Sequence, residues 1–330
     1  MSTAARAAAD VAAPGGRRPS HDAGPRHAGG PGLLGDAPAL ARAGAREALG
    51  AREERGALEL RFRPGPRGRT ELAQRRQRFP LRMTVPFHLD PAIPEMAWVY
   101  VQNPTGGVFA GDRLELAVHA EPESRVHLTT QSATKLYRME AGGEAHQRVR
   151  LDVGAGAYVE NMPDALIPQA ATRYRQRTEV DLAEGAACIS GETLAPGRRA
   201  HGERFAYGLV ELSTAVRRAG RELCVETLRF EPPRGRPDRA GVLAGGDYLV
   251  TLFALAPERD ADALAAALDA ALVGLGRVGV RGAAGTLPSG AGARAIALAP
   301  DAPAAERALR AAWGAARRAL LDLPLPGARK

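Results

Sequence analysis

The stretch Leu114-Glu-Leu-Ala-Val-His-Ala-Glu-Pro-Glu-Ser-Arg-Val-His-Leu-Thr-Thr130 decides how the chain is read. Leu114, Leu116 and Val118 alternate with Glu115 and Ala117, the period-2 signature of a half-buried strand. Glu121-Pro122-Glu123-Ser124 supplies turn residues, and Val126 and Leu128 then resume the alternation. Outward from this stretch the pattern recurs. Upstream, Leu58, Leu60 and Phe62 alternate with Glu59 and Arg61. Downstream, Val149, Leu151 and Val153 repeat it, as do Tyr174, Thr178, Val180 and Leu182. Further strands are predicted near Trp98–Gln102, Ala186–Thr193, Arg204–Arg217, Leu223–Phe230 and Tyr248–Leu255. Many short strands at near-regular spacing predict a mainly β fold, a sandwich, barrel or solenoid, rather than βαβ units.

Helical patterns come only near the C-terminus. Residues 259–273 are Ala-rich with an acidic start, which suits a helix N-terminus. Residues 303–321 begin at Pro303 behind Asp301 and bring Leu309, Trp313, Ala316 and Leu320 to one face. A strand is predicted between them at Arg294–Leu298. Residues 1–50 are rich in Ala, Gly, Pro and Arg and poor in large apolar side chains, so they read as a disordered extension. Residues 51–330 read as one domain.

Composition narrows the function. Of 330 residues, 45% are hydrophobic and 25% charged, with room for a sizeable core. No apolar run approaches the roughly 20 residues of a membrane helix, and the N-terminus lacks a secretory pattern. Cys188 and Cys224 have no C-x-x-C spacing, which suits small buried residues in a reducing cytoplasm. The net charge is +8, and only Lys135 and Lys330 among the 45 basic residues are lysines. No aromatic-interleaved basic patch or helix-turn-helix points to nucleic acid. The Gly-Lys-Ser/Thr of a P-loop is absent, as are H-E-x-x-H, G-x-S-x-G and a strand-to-helix G-x-G-x-x-G. None of the common cofactor or hydrolase fingerprints is present.

Five segments concentrate glycine, acid and arginine in what read as tight turns. They are Gly106-Gly107-Val-Phe-Ala-Gly111-Asp112, Thr129-Thr-Gln-Ser-Ala-Thr-Lys135-Leu-Tyr137-Arg138 and Glu160-Asn-Met-Pro163-Asp164-Ala-Leu-Ile-Pro168. Glu192-Thr-Leu-Ala-Pro-Gly197-Arg198 and Arg199-Ala-His201-Gly202-Glu203-Arg204-Phe205 complete the set. In this order and spacing they resemble the urease accessory proteins of the UreD/UreH type, from about Leu58 to the C-terminus. Gln169 and Gly191 depart from that family's usual residues, and the N-terminal extension is not a family feature.

The resemblance implies an elongated β-helix-like or layered β-sheet architecture with a few helices. It implies UreF-like and UreG-like accessory partners, docking on apo-urease, and transient passage of Ni2+ with no tightly bound cofactor. Asp112, Glu192 and Glu203 stand at the family's acidic positions and become candidates for transient nickel contacts. The chemistry permits this. Thiolate and imidazole clusters grip Ni2+ tightly, whereas scattered carboxylates, carbonyls and water let it exchange.

Each residue also has a plain structural reading. Asp112 suits a turn cap. Glu192 and Glu203 suit ion pairs with Arg198 and Arg204. His201 suits an exposed loop. His119 and His127 flank the Glu121–Ser124 turn, both off the apolar face, so one hairpin register would place them opposite each other, as a solvated surface or as a metal pair. Tyr137 and Arg138 suit a strand end, and the Leu309/Trp313/Leu320 stripe suits core. Two rival functions stay open: a purely structural scaffold without ion passage, and a β-solenoid carbohydrate-active enzyme. A polar interior lined by Asp112 and Glu192 favours passage; a dry apolar core favours scaffolding alone.

Overall fold

The computed structural model describes residues 55–139 and 142–327; the extension read at residues 1–50 lies outside them. The first sheet opens with β1 (Arg55–Pro64) and its antiparallel neighbour β2 (Thr70–Arg78). The second opens with β3 (Arg82–Met83) and β4 (Ala97–Gln102). The chain then crosses repeatedly between the sheets. β5 (Arg113–Ala120) enters the first and β6 (Arg125–Thr130) the second, with short β7 (Thr134–Leu136) beyond it. β8 (Ala145–Val153), β9 (Tyr158–Asn161) and β10 (Leu166–Pro168) repeat that path. β11 (Arg173–Leu182) and β12 (Ala187–Leu194) repeat it again, and β13 (Leu209–Arg218) returns to the first sheet.

Each strand lies parallel to its predecessor in the same sheet: β1, β5, β8, β11 and β13 in one, β4, β6, β9 and β12 in the other. That is a solenoid-like stack, in which every turn of chain supplies backbone partners for the next. β14 (Arg221–Phe230) ends the first sheet antiparallel. β15 (Tyr248–Leu255), β16 (Arg281–Thr286) and β17 (Gly292–Ala299) extend the second antiparallel, in the order β12-β15-β17-β16.

Two helices cover the outer face of the second sheet. α1 (Ala261–Val273) starts where Asp260 accepts hydrogen bonds from the N–H groups of Asp262 and Ala263. α2 (Ala302–Leu321) starts where Asp301 accepts one from Ala304. Both carboxylates satisfy N–H groups that the first helical turn leaves open.

The sheets and helices enclose two cores. Leu58, Leu60, Phe62, Val118, Leu151 and Leu182 belong to the core between the sheets. Ile189, Leu252, Leu268 and Trp313 pack between the second sheet and the helices. Alanines at 293, 295, 297 and 299 on β17 and at 304, 305, 308 and 312 on α2 keep that second interface thin. Gly191 serves the same end, since a Cβ there would lie 2.8 Å from Leu309 Cδ1 and Met162 Cε. Glycine at 191 thus accommodates Leu309 of α2. The strand that carries it remains paired with β15.

The expected hairpin between β5 and β6 does not form, because the two strands belong to different sheets. His119 stays on the first sheet, where its Nδ1 lies 2.8 Å from Asp152. His127 is not on a solvated face; it is 2% exposed in the helix-side core. Its ring stacks on Trp98 at 3.7 Å between centroids and faces Trp313 at 5.4 Å. His127 Nδ1 lies 2.6 Å from Glu160 Oε2, and Tyr158 donates to Glu160 Oε1 at 2.6 Å. From α2, Arg317 donates to the same Oε1 at 2.8 Å and to Asp90 Oδ2 at 2.5 Å. Burial alone would raise the Glu160 pKa, but His127, Arg317 and Tyr158 outweigh it and hold the carboxylate below its usual range.

Arg317 is fully buried, so removing it leaves two buried carboxylates without their cation. Arg317→Ala is expected to lower stability by about 3–5 kcal/mol. Urea denaturation checks this as a lower midpoint at unchanged slope.

Candidate functional site

Strand alternation aims a short list of polar residues into the space between the sheets. On β8 the inward positions are Gln147, Val149, Leu151 and Val153; on β11 they are Tyr174, Gln176, Thr178, Val180 and Leu182. Gln147 and Gln176 are register partners, so two amides stand side by side near the starts of their strands. The opposite ends of the same strands carry Val153 and Leu182, which pack in the apolar core. On the second sheet Asn161 is in register with Ser190 and donates to its hydroxyl at 3.2 Å. Two residues further along β12 comes Glu192.

These side chains form one connected arrangement. Tyr174 OH donates to Gln176 Oε1 at 2.8 Å and lies 3.0 Å from Gln147 Oε1. Gln176 Nε2 donates to Glu192 Oε1 at 2.5 Å. Around them is a small cavity of about 50 Å3, with Thr130, Gln147, Asn161, Asp164, Gln176 and Glu192 in its polar lining and Leu116, Leu128 and Val149 in its apolar lining. A second cleft of about 90 Å3 shares Leu81, Val101, Thr130, Thr134 and Gln147 with it and extends to Gly106, Gly107 and Ser132. Polar interior and Gly-rich turn are thereby neighbours.

Glu192 lies open to the cavity but is otherwise enclosed by protein. Burial pushes its pKa up to about 7, against the opposing hydrogen bond from Gln176 and with help from the Glu226 charge. Among the described residues, no arginine is bonded to it. The expected ion pair with Arg198 or Arg204 is not made at Glu192, because those arginines lie beyond the end of β12 and have other partners.

The other two candidate acids sit elsewhere. Asp112 is buried where it accepts a hydrogen bond from the Phe109 N–H at 2.8 Å, closing the turn before β5. In that turn, a Cβ at Gly107 would meet the Lys135 carbonyl oxygen at 2.3 Å, so the close pairing of Val108 with β7 requires glycine. Tyr137 follows β7 and stacks on Phe109 at 4.5 Å, and Arg138 comes next. Glu203 is gripped by Arg198, from Nε at 2.7 Å and Nη2 at 2.5 Å. That hydrogen-bonded guanidinium lowers the Glu203 pKa. Arg204 instead pairs with Asp247 and Asp238. Gly197, Arg198 and Gly202 shape the loop that holds Glu203, while Pro163 and Asp164 sit at the cavity wall. The cavity lining thus includes Glu192 and Asp164, but not Asp112 or Glu203.

Sequence reasoning missed Gln147, Tyr174 and Gln176 as a polar group; the one available signal was polar residues at inward positions of otherwise apolar alternations. Among the described residues, no three His, Cys, Asp or Glu side chains converge as a chelating set. The donors present are carboxylate, amide and hydroxyl groups, which can replace part of a hydrated cation's shell without trapping it.

The family model described as the UreD urease accessory protein matches residues 54–330. The chain belongs to the UreD family of urease accessory proteins. Urease accessory protein UreD 2 of Streptomyces griseus is 42% identical over 271 residues, covering 80% of this chain and 89% of that protein. Urease accessory protein UreD of Mycolicibacterium gilvum is 38% identical over 254 residues, covering 77% and 90%. Urease accessory protein UreD of Haloarcula marismortui is 38% identical over 256 residues, covering 75% and 83%. The UreD-family match spans every element that builds the cavity. No helix among the described residues is long and apolar enough to cross a membrane.

The raised Glu192 pKa gives folding a defined pH dependence. An unfolded glutamate ionises near 4.3, and the folded one near 7. The fold favours the neutral acid, so this group's stabilisation is fully present below the unfolded pKa and is lost as pH rises through about 7. Glu192→Gln, neutral throughout, is expected to gain stability over the wild type at pH 8 by on the order of 3 kcal/mol and to match it near pH 4. Urea denaturation across that range checks the slope.

Proposed function

We propose that this UreD-family chain works in the cytoplasm as a scaffold and metallochaperone in urease maturation. In this reading it binds UreF-like and UreG-like accessory proteins, docks on apo-urease and passes Ni2+ toward the urease active site. It forms and breaks no covalent bond in a substrate. The observation that carries the reading is the polar cavity between two sheets that elsewhere pack as apolar core. An interior built only for stability has no use for Gln147, Gln176, Asn161 and Glu192 around open space, because buried polar groups cost free energy unless fully bonded. A cation in transit needs such a lining: oxygen donors numerous enough to replace water and too dispersed to hold it.

Glu192 supplies the anionic contact. With its pKa near 7, it is poised between accepting a cation and releasing it for a proton. Ni2+ entering the cavity would displace that proton and leave when the carboxylate is reprotonated. Asp112 and Glu203 remain candidates outside the cavity, where a cation would compete with the Phe109 N–H or with Arg198. Their present bonds favour the second reading, a scaffold in which both acids only shape loops. The buried, unpaired thiols Cys188 and Cys224 suit a reducing compartment.

Reconstituting urease from its apoprotein, the accessory partners, GTP and Ni2+ tests the proposal. Glu192→Ala is expected to cut the activation rate at least fivefold while the accessory complex still assembles. Glu192→Asp should recover part of the loss. Full activation with Glu192→Ala would remove the conduit and leave the scaffold.

A further inference from the structure

One end of the stack exposes features that neither the cavity nor the cores explain. Among the described residues, β2 is the terminal strand of the first sheet, paired with β1 on one side only. After Leu72 all of its residues are exposed on both faces. Alongside it, residues 82–89 form the terminal segment of the second sheet, pairing at Arg82–Met83 and again at Phe87 with Trp98. His88 Nε2 lies 3.2 Å from the Thr70 carbonyl and ties the two edges together. Both sheets therefore end on the same side of the molecule.

That side combines positive charge with apolar surface. Arg63, Arg67, Arg75, Arg78 and Arg82 are exposed and form no ion pair among the described residues. Arg76 reaches Glu59 only at 3.9 Å, with its side chain 72% exposed. Next to them the alternation of residues 83–89 is inverted: Met83 is buried, while Val85, Phe87 and Leu89 are 67%, 40% and 37% exposed. Phe79, at the end of β2, is 50% exposed. Arginines on a free edge can simply discourage strand pairing. Guarding does not account for an outward apolar row beside them, and a basic rim around apolar residues is the make-up of an interface.

We infer that β2 and residues 82–89 form a docking surface for an acidic, extended segment of a protein partner. The segment would add to the β2 edge through backbone hydrogen bonds, face the arginines with carboxylates and cover Val85 and Phe87 with apolar side chains. Charge selects this occupant. A second copy would set the same arginines against each other, and residues 1–54 carry seven arginines against six acids, so they offer no complement.

The inference rests on the urease-maturation reading for its choice of probes. The purified UreF-like protein, UreG-like protein and apo-urease are each titrated with the full chain by calorimetry at low and moderate salt. Three variants are compared: R75E/R76E/R78E, V85S/F87S, and the control R221E/R307E at exposed arginines elsewhere. At least one of the three proteins is expected to bind the first two variants tenfold or more weakly and the control normally. The salt dependence of wild-type binding should shrink in the triple variant. Normal binding of all three proteins to both edge variants overturns this inference and leaves the proposed function standing. A wild-type chain that binds none of them overturns both. A self-association abolished by the same substitutions overturns the choice of partner.

Discussion

The helix layer is tied to the sheets through one buried ionic contact. Arg317 reaches from α2 through a largely apolar interface and binds Glu160 on β9 and Asp90 before β4. Glu160 in turn holds His127 on β6 and Tyr158 on its own strand. Strands from separate turns of the solenoid and the last helix of the chain are thus fixed to a single carboxylate. Desolvating these charges is costly, and the hydrogen bonds that Glu160 and Asp90 accept offset part of the cost. The arrangement also sets the rotation of α2, since only one face of that helix can present Arg317 and Trp313 to the His127 ring together.

With the second sheet held from behind, its inner face can carry polar residues. Stacked parallel strands supply backbone bonds whatever their side chains are, so the space between the sheets is free to divide. One part fills with Leu60, Phe62, Val118 and Leu151 and provides apolar burial. The other keeps Gln147, Gln176, Asn161 and Glu192 around open volume. The division follows strand register, because the paired amides lie at equivalent positions of neighbouring turns. Apolar packing and the polar cavity thus occupy different stretches of the same strands.

Much of the fold was legible because apolar alternation is written directly into β1, β5, β8 and β11, while β15 is a near-continuous apolar run. The caps at Asp260 and Asp301 marked both helices. β2 was not legible: an edge strand exposed on both faces has no apolar period, and TELAQRRQR reads as a polar loop. The strand expected at Arg204–Arg217 begins at Leu209, since the preceding residues form the loop that holds Glu203 and Arg204 in ion pairs. Several segments read as turns, including Glu160–Pro168, contain the short strands β9 and β10. At the site, Glu192 was named from its motif, but its companions Gln147 and Gln176 come from other strands and only register joins them. His127 was misplaced because local sequence suggested a hairpin, whereas the chain crosses between sheets at that turn.

The account stands on the cavity between the sheets serving as a place where Ni2+ dwells briefly. Diffraction at the nickel absorption edge from crystals of the chain soaked in Ni2+ tests this most directly. The account predicts a partially occupied anomalous peak inside the cavity, within coordination distance of Glu192 and fading as the soak is made acidic. Anomalous density confined to surface histidines, with the interior empty at every pH, would contradict it.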